Sequence, residues 1–118
     1  MFDDKFPKEF EDLRKNFALS LQNKLFDIVN LEKKLIENNF EINTIQELYQ
    51  ATHKISGSCG MFNFSKISEA AYKLEEFLKS VVKAGTGLIP EDQSRINDLL
   101  SGLKKELEHI KSYSKETE

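Results

Sequence analysis

The sequence predicts an all-α fold: an antiparallel up-and-down four-helix bundle with a short additional N-terminal helix. Three observations carry this expectation. Apolar residues recur at three- and four-residue spacing along almost the whole chain. No stretch alternates apolar and polar residues, with β-branched enrichment, for long enough to argue a strand. Turn-forming residues punctuate the periodicity at Asn38-Asn39, at Asn63 and in the segment AGTGLIP at 84–90. Amphipathic helices joined by such short connections pack most simply as an up-and-down bundle.

The first helical stretch runs from about Pro7 to Asn38. Pro7 suits a first helical position, and Glu9, Glu11 and Asp12 suit the positive end of the helix dipole. Phe10, Leu13, Phe17, Leu21, Leu25, Ile28, Leu31 and Leu35 form one apolar stripe. The stripe is long for one average helix, so a short leading helix and a longer second one are expected, divided near Ser20 to Asn23.

Thr44, with Glu47 three residues on, reads as a capping box opening the next helix, whose stripe is Ile45, Leu48, Thr52, Ile55, Cys59 and Phe62. Ser65 is placed to cap a third helix carrying Phe64, Ile67, Ala71, Leu74, Leu78 and Val81, at spacings of a bundle seam. Pro90, followed by Glu91 and Asp92, starts a last helix with Ile96, Leu99, Leu103, Leu107 and Ile110 inward. The final SYSKETE reads as a frayed tail. The 118 residues are therefore expected to form one domain over 1–118, with the bundle spanning about 7–113.

Composition narrows the function classes. No apolar run approaches the roughly 20 residues a bilayer requires, and the acidic N-terminus has no apolar signal-peptide core, so a cytoplasmic monomer with no membrane contact is expected. A single cysteine, Cys59, excludes an internal disulfide and a multi-Cys metal site. The net charge of −3 comes with no basic stripe, so nucleic acid is not an expected partner.

The chemistry concentrates in residues 53–64, HKISGSCGMFNF. At 100° per residue, Ile55, Cys59 and Phe62 share the core stripe, whereas His53 points away from it, beside Tyr49, Gln50, Ser56 and Gly57. Side chains on a helix lean toward its N-terminus, so the residue that would lie over the backbone at His53 is Gly57, which has none. Each mid-helix glycine costs about 1 kcal/mol against alanine. Gly57 and Gly60 thus leave a bare strip through which a bulky partner can approach the imidazole. On periodicity alone the plainer reading is the favoured one: a solvated histidine, with glycines that serve helix packing or a helix end. His109 has no such setting and is assigned no role.

His53-Lys54-Ile55-Ser56-Gly57-Ser58-Cys59-Gly60-Met61-Phe62-Asn63-Phe64, followed by Ile67, Ala71 and the Leu74-Glu75 pair, resembles the signature of histidine-containing phosphotransfer domains. The phosphoacceptor domain of chemotaxis histidine kinases shares it. The motif covers about 25 residues, and spacing agrees both within and between two helices. The resemblance implies that His53 accepts and donates a phosphoryl group. It also implies that Glu75 hydrogen-bonds the histidine Nδ1, and that the partner's aspartyl-phosphate site holds the Mg²⁺, so that no cofactor is needed here. Two departures stand out. Ser56 occupies a position where the family often has a lysine that helps hold the phosphoryl group, with Lys54 about 100° around the helix. Asn63 replaces the usual last glycine and, tolerating positive φ, reads as a conservative change at a helix end.

The relay reading implies a protein that is carrier and substrate rather than enzyme, with a response-regulator receiver domain, a histidine kinase or both as partners. Glu75, Lys54, Ser56 and Gly57 would surround the phosphoryl group, and Tyr49, Gln50, Gly60, Tyr72 and Lys79 would form the docking face. Lys79 is also expected to pair with Glu75 one turn earlier. The competing reading, kept open by Ser56, is a helical module that binds receivers or kinases without transferring phosphate. A metal or nucleophilic enzyme is disfavoured, since two distant histidines and a core-facing cysteine make neither a ligand set nor a catalytic pair.

Overall fold

The computed structural model describes the backbone of residues 5–62, 64–85 and 88–116 and the side chains of 9–62, 64–85 and 88–110. Four helices follow in order: α1 (Lys5–Glu37), α2 (Ile42–Met61), α3 (Ser65–Ala84) and α4 (Pro90–Glu116). The helices pack in a ring, α1 on α2 and α4 and α3 on α2 and α4, so that α1 and α3 sit diagonally. This is the expected four-helix bundle.

The additional N-terminal helix is not present as a separate element, because α1 is one 33-residue helix. Nothing between Lys8 and Glu37 is a glycine or a proline. Where the break was expected, Ser20 Oγ donates to Phe17 O at 2.7 Å inside the helix. Ala18, Leu21, Leu25 and Ile28 are buried on both sides of that point. Continuous core contact carries the helix through. At 1.5 Å rise per residue it is about 50 Å long, in keeping with the 56 Å long axis of the molecule.

Leu13 was expected on the α1 stripe but is 57% exposed. The face turned inward at that level is set instead by an aromatic cluster: Phe17 stacks on Phe62 at 4.7 Å, with Phe10 6.1 Å from Phe62 and Phe17 5.9 Å from Phe64. Arg14 fastens the same region, its Nε donating to Phe62 O at 2.9 Å and its guanidinium lying 4.6 Å from the Phe64 ring centroid.

The capping box does not form. α2 starts at Ile42, and Glu41 at its N-cap makes no side-chain cap. Thr44, buried inside the first turn, accepts from Asn38 Nδ2 at 2.8 Å, while Glu47 pairs with Lys34 of α1 at 3.3 Å. Both residues thus tie α2 to α1. The turn itself places Asn39 and Phe40 at positive φ (57° and 58°), and Phe40 is held there by packing its ring on the core and donating its N–H to Leu35 O at 2.7 Å.

All six residues of the α3 stripe are buried, from Phe64 to Val81. Ser65 is the first helical residue rather than the cap, a place taken by Phe64, whose N–H donates to Cys59 O at 2.9 Å. Asn63 lies outside the described residues. Gly85 closes α3 in the left-handed conformation (φ 66°), which a glycine adopts without strain. Thr86 and Gly87 of the following connection lie outside the described residues. In α4 the seam is Ile96, Leu100, Leu103, Leu107 and Ile110, with Leu100 taking the fully buried place expected for Leu99. The final segment is not a frayed tail throughout: helical backbone continues to Glu116, and Thr117 and Glu118 lie outside the described residues.

Candidate functional site

The buried set of α2, from Ile45 through Leu48, Thr52 and Ile55 to Cys59, fixes the rotation of the helix. Thr52 is polar and fully buried, and its hydroxyl is satisfied within the helix, donating toward Leu48 O and Tyr49 O, each at 3.0 Å. The next residue, His53, is thereby turned outward on the side facing α3. Its side chain is 67% exposed.

On α3, Leu74 and Leu78 are buried and Glu75 stands beside them at the margin of the α2–α3 groove. His53 Nδ1 lies 2.5 Å from Glu75 Oε2, and the Glu75 side chain is only 12% exposed. An ionised carboxylate only accepts hydrogen bonds, so Nδ1 carries the proton and donates it. In the neutral ring this leaves Nε2 with a free lone pair. The Tyr49 ring stacks alongside, 6.2 Å between centroids and 26° between planes.

The remaining candidates divide into three settings. Gly57 is exposed, and a Cβ there would meet nothing within 4 Å, so the strip beside the imidazole is open. Gly60 faces α3 instead, where a Cβ would meet Ser68 Oγ at 3.5 Å. Ser56, Gly60 and Tyr72 line a shallow depression between α2 and α3 with Ser68, Glu69 and Lys73. Lys54 and Gln50 lie on the other flank of α2 and line a depression shared with Lys24 and Asp27 of α1. Lys79 does not pair with Glu75. Among the described residues it makes no ion pair, because the Glu75 carboxylate is turned toward His53.

Two contributors escaped the sequence reading. Ser68 Oγ donates to Ser56 O at 3.0 Å, tying α3 to α2 one turn from the histidine. Lys73, paired with Glu69 at 3.6 Å, is the cation of the Ser56 depression. The available signal was that Ser68, Tyr72, Glu75 and Lys79 share one helical face. Cys59 is fully buried, and burial pushes its thiol up to about 12, which suits packing rather than nucleophilic work. His109 lies on α4 beside Arg14, Phe64 and Lys66, near the start of α3, and 3.5 Å from Glu106. Among the described residues no group of three or more His, Cys, Asp or Glu side chains is disposed to hold a metal ion. No described helix is long and apolar enough to cross a membrane.

An exposed histidine, oriented by a carboxylate from the neighbouring helix of a four-helix bundle, is the setting in which the comparison with protein families is decisive. The family model of the Hpt domain matches residues 1–113 of the 118. The chain belongs to the Hpt domain family. Hpt domains are phosphocarrier modules of two-component signalling and interact with receiver domains and kinases in phosphorelays. No significant match to this Hpt domain is found among curated proteins or among solved structures.

Proposed function

We propose that this Hpt domain is a phosphorelay carrier with His53 as its phosphoacceptor. The observation that carries the reading is the exposed imidazole whose Nδ1 meets Glu75 Oε2 at 2.5 Å; with Nδ1 as the donor, the neutral ring keeps its lone pair on Nε2. Nε2 attacks the phosphorus of a receiver's aspartyl phosphate in line with the leaving carboxylate oxygen. The P–O bond breaks as the P–N bond forms, and the electron pair returns to the aspartate. The ring gains positive character in this step, and its Nδ1–H remains shared with the Glu75 carboxylate, which stabilises that charge. Onward transfer is the reverse step, with the next receiver's aspartate as nucleophile.

The domain supplies a positioned nucleophile and a docking surface. Proximity accounts for most of its contribution, while charge neutralisation, including Mg²⁺, comes from the receiver. It acts in the cytoplasm, as a single domain, without a cofactor of its own and without catalysing the reaction of another substrate. Tyr49, Gln50, Lys54, Gly57, Gly60, Tyr72 and Lys79 serve as the docking surface. Ser56, where a lysine is frequent, favours a second reading: a module that docks receivers or kinases without accepting phosphate. Incubation with a phosphorylated receiver domain, followed by assay of acid-labile, alkali-stable phosphate on the Hpt chain, separates the two.

A further inference from the structure

The outer flank of α1, about 100° around the helix from its core stripe and on the side away from Lys24, Asp27 and Lys34, which face α2, carries large apolar side chains that the phosphotransfer site does not use. Leu19 is 43% exposed, Phe26 67%, Val29 43% and Ile36 63%. Scattered exposed apolar residues are ordinary on a protein surface, but these are not scattered. Together with Gln22 and Lys33 they occupy positions 19, 22, 26, 29, 33 and 36, the alternating three- and four-residue spacing of a helix-pairing seam.

The order of residues along that seam says what covers it. Read in either direction it runs apolar, polar, apolar, apolar, polar, apolar. When two copies of α1 are laid antiparallel about a two-fold axis between Phe26 and Val29, Leu19 meets the second copy's Ile36, Gln22 meets its Lys33, and Phe26 meets its Val29. Each contact is made twice, as an isologous interface requires. A parallel pairing would instead oppose Lys33 to Lys33, a like-charge contact that disfavours it. The Gln22 amide oxygen can accept from the Lys33 ammonium only in the antiparallel arrangement.

We propose that the α1 outer flank pairs with the same flank of a second copy of this chain, giving an antiparallel two-fold dimer. This departs from the monomer expected of the sequence. α1 is diagonal to α3 in the bundle, so the paired faces leave the His53–Glu75 groove of each copy open to a receiver. The dimer does not depend on the assignment of the phosphoacceptor.

Sedimentation equilibrium of the full chain over about a hundredfold range of concentration tests the proposal, since a dimer gains population with concentration by mass action. The mass is expected to rise from 13.6 kDa toward twice that value. Phe26→Glu, at an exposed position, is expected to keep the wild-type circular dichroism and to remain at the monomer mass throughout. The register is read by cysteine pairing, with Cys59 buried and out of reach. An oxidised mixture of Gln22→Cys and Lys33→Cys chains is expected to form the mixed disulfide in preference to either self-linked species. A wild-type chain monomeric at every concentration overturns the proposal and leaves the face to a different partner. A dimer that persists in folded Phe26→Glu, or preferential self-linking of Gln22→Cys, overturns it equally.

Discussion

His53 Nδ1 and Glu75 Oε2 stand 2.5 Å apart across the α2–α3 groove, the acceptor side chain largely buried and the donor ring mostly in solvent. That asymmetry lets one nitrogen be fixed while the other stays accessible. If the pair works as proposed, Glu75→Ala removes the acceptor without disturbing the core, and the ring becomes a mixture of tautomers. Nitrogen chemical shifts of His53 should show the Nδ1–H form dominant in the wild type and reduced in the variant. Phosphoryl uptake should slow about tenfold or more, in the range expected for loss of an orienting partner. An unchanged tautomer ratio would remove Glu75 from its orienting role.

The bare surface at Gly57 separates docking from chemistry. A Cβ there meets nothing, so Gly57→Ala should stabilise the fold by about 1 kcal/mol, read as a higher urea midpoint. Gly57→Trp should slow uptake from a phosphorylated receiver by an order of magnitude or more while leaving phosphorylation by a small phosphoramidate donor near the wild-type rate. Equal slowing with both donors would show that the glycine does something other than admit the partner.

Ser56 lines a depression whose existing cation, Lys73, is paired with Glu69. Ser56→Lys should place a second cation within reach of the phosphoryl group. Transfer to His53 should quicken severalfold, as a charge-assisted contact of about 1 kcal/mol allows. Stopped-flow transfer measurements check this, and a rate equal to wild type would show that the serine position lies outside the phosphoryl environment.

Cys59 gives a pH prediction. Its thiol is pushed from its ordinary 9.0 to about 12 by burial, so the folded chain retains a proton that the unfolded chain releases. The unfolded state therefore binds fewer protons between pH 9 and 12, and the associated stability is full below pH 9 and lost as pH rises toward 12. The urea midpoint should fall more steeply over this window in wild type than in Cys59→Ala. At pH 8 a thiol reagent should label the native chain far more slowly than the urea-unfolded chain.

Much of this architecture was legible because the core stripes of α2 and α3 are unambiguous in phase: each buried residue from Ile45 to Cys59 and from Phe64 to Val81 falls on a single helical face. The same phase turned His53 outward, and the Leu74-Glu75 pair pointed to its neighbour. What was not legible depended on contacts between distant residues. Thr44 and Glu47 look like a capping box, yet Asn38 and Lys34 of the preceding helix compete for them and win. Typical helix length does not bound α1, which runs for 33 residues with no glycine or proline between Lys8 and Glu37 and with core contacts continuing from Ala18 to Leu35. Leu99 and Leu100 both fit a three-or-four spacing, and only packing against the other helices decides between them. Ser68 reaches Ser56 O only because α2 and α3 lie side by side, which no local pattern encodes.

The most direct measurement is phosphoryl uptake from a phosphorylated receiver domain by the wild-type chain and by His53→Gln, followed by phosphorus NMR of the labelled protein. The carrier account predicts acid-labile, alkali-stable label on the wild type, with a phosphoramidate signal coupled to His53 Nε2, and none above background on His53→Gln. Equal label on the two proteins, or no label on a wild-type chain that binds the receiver, would contradict it.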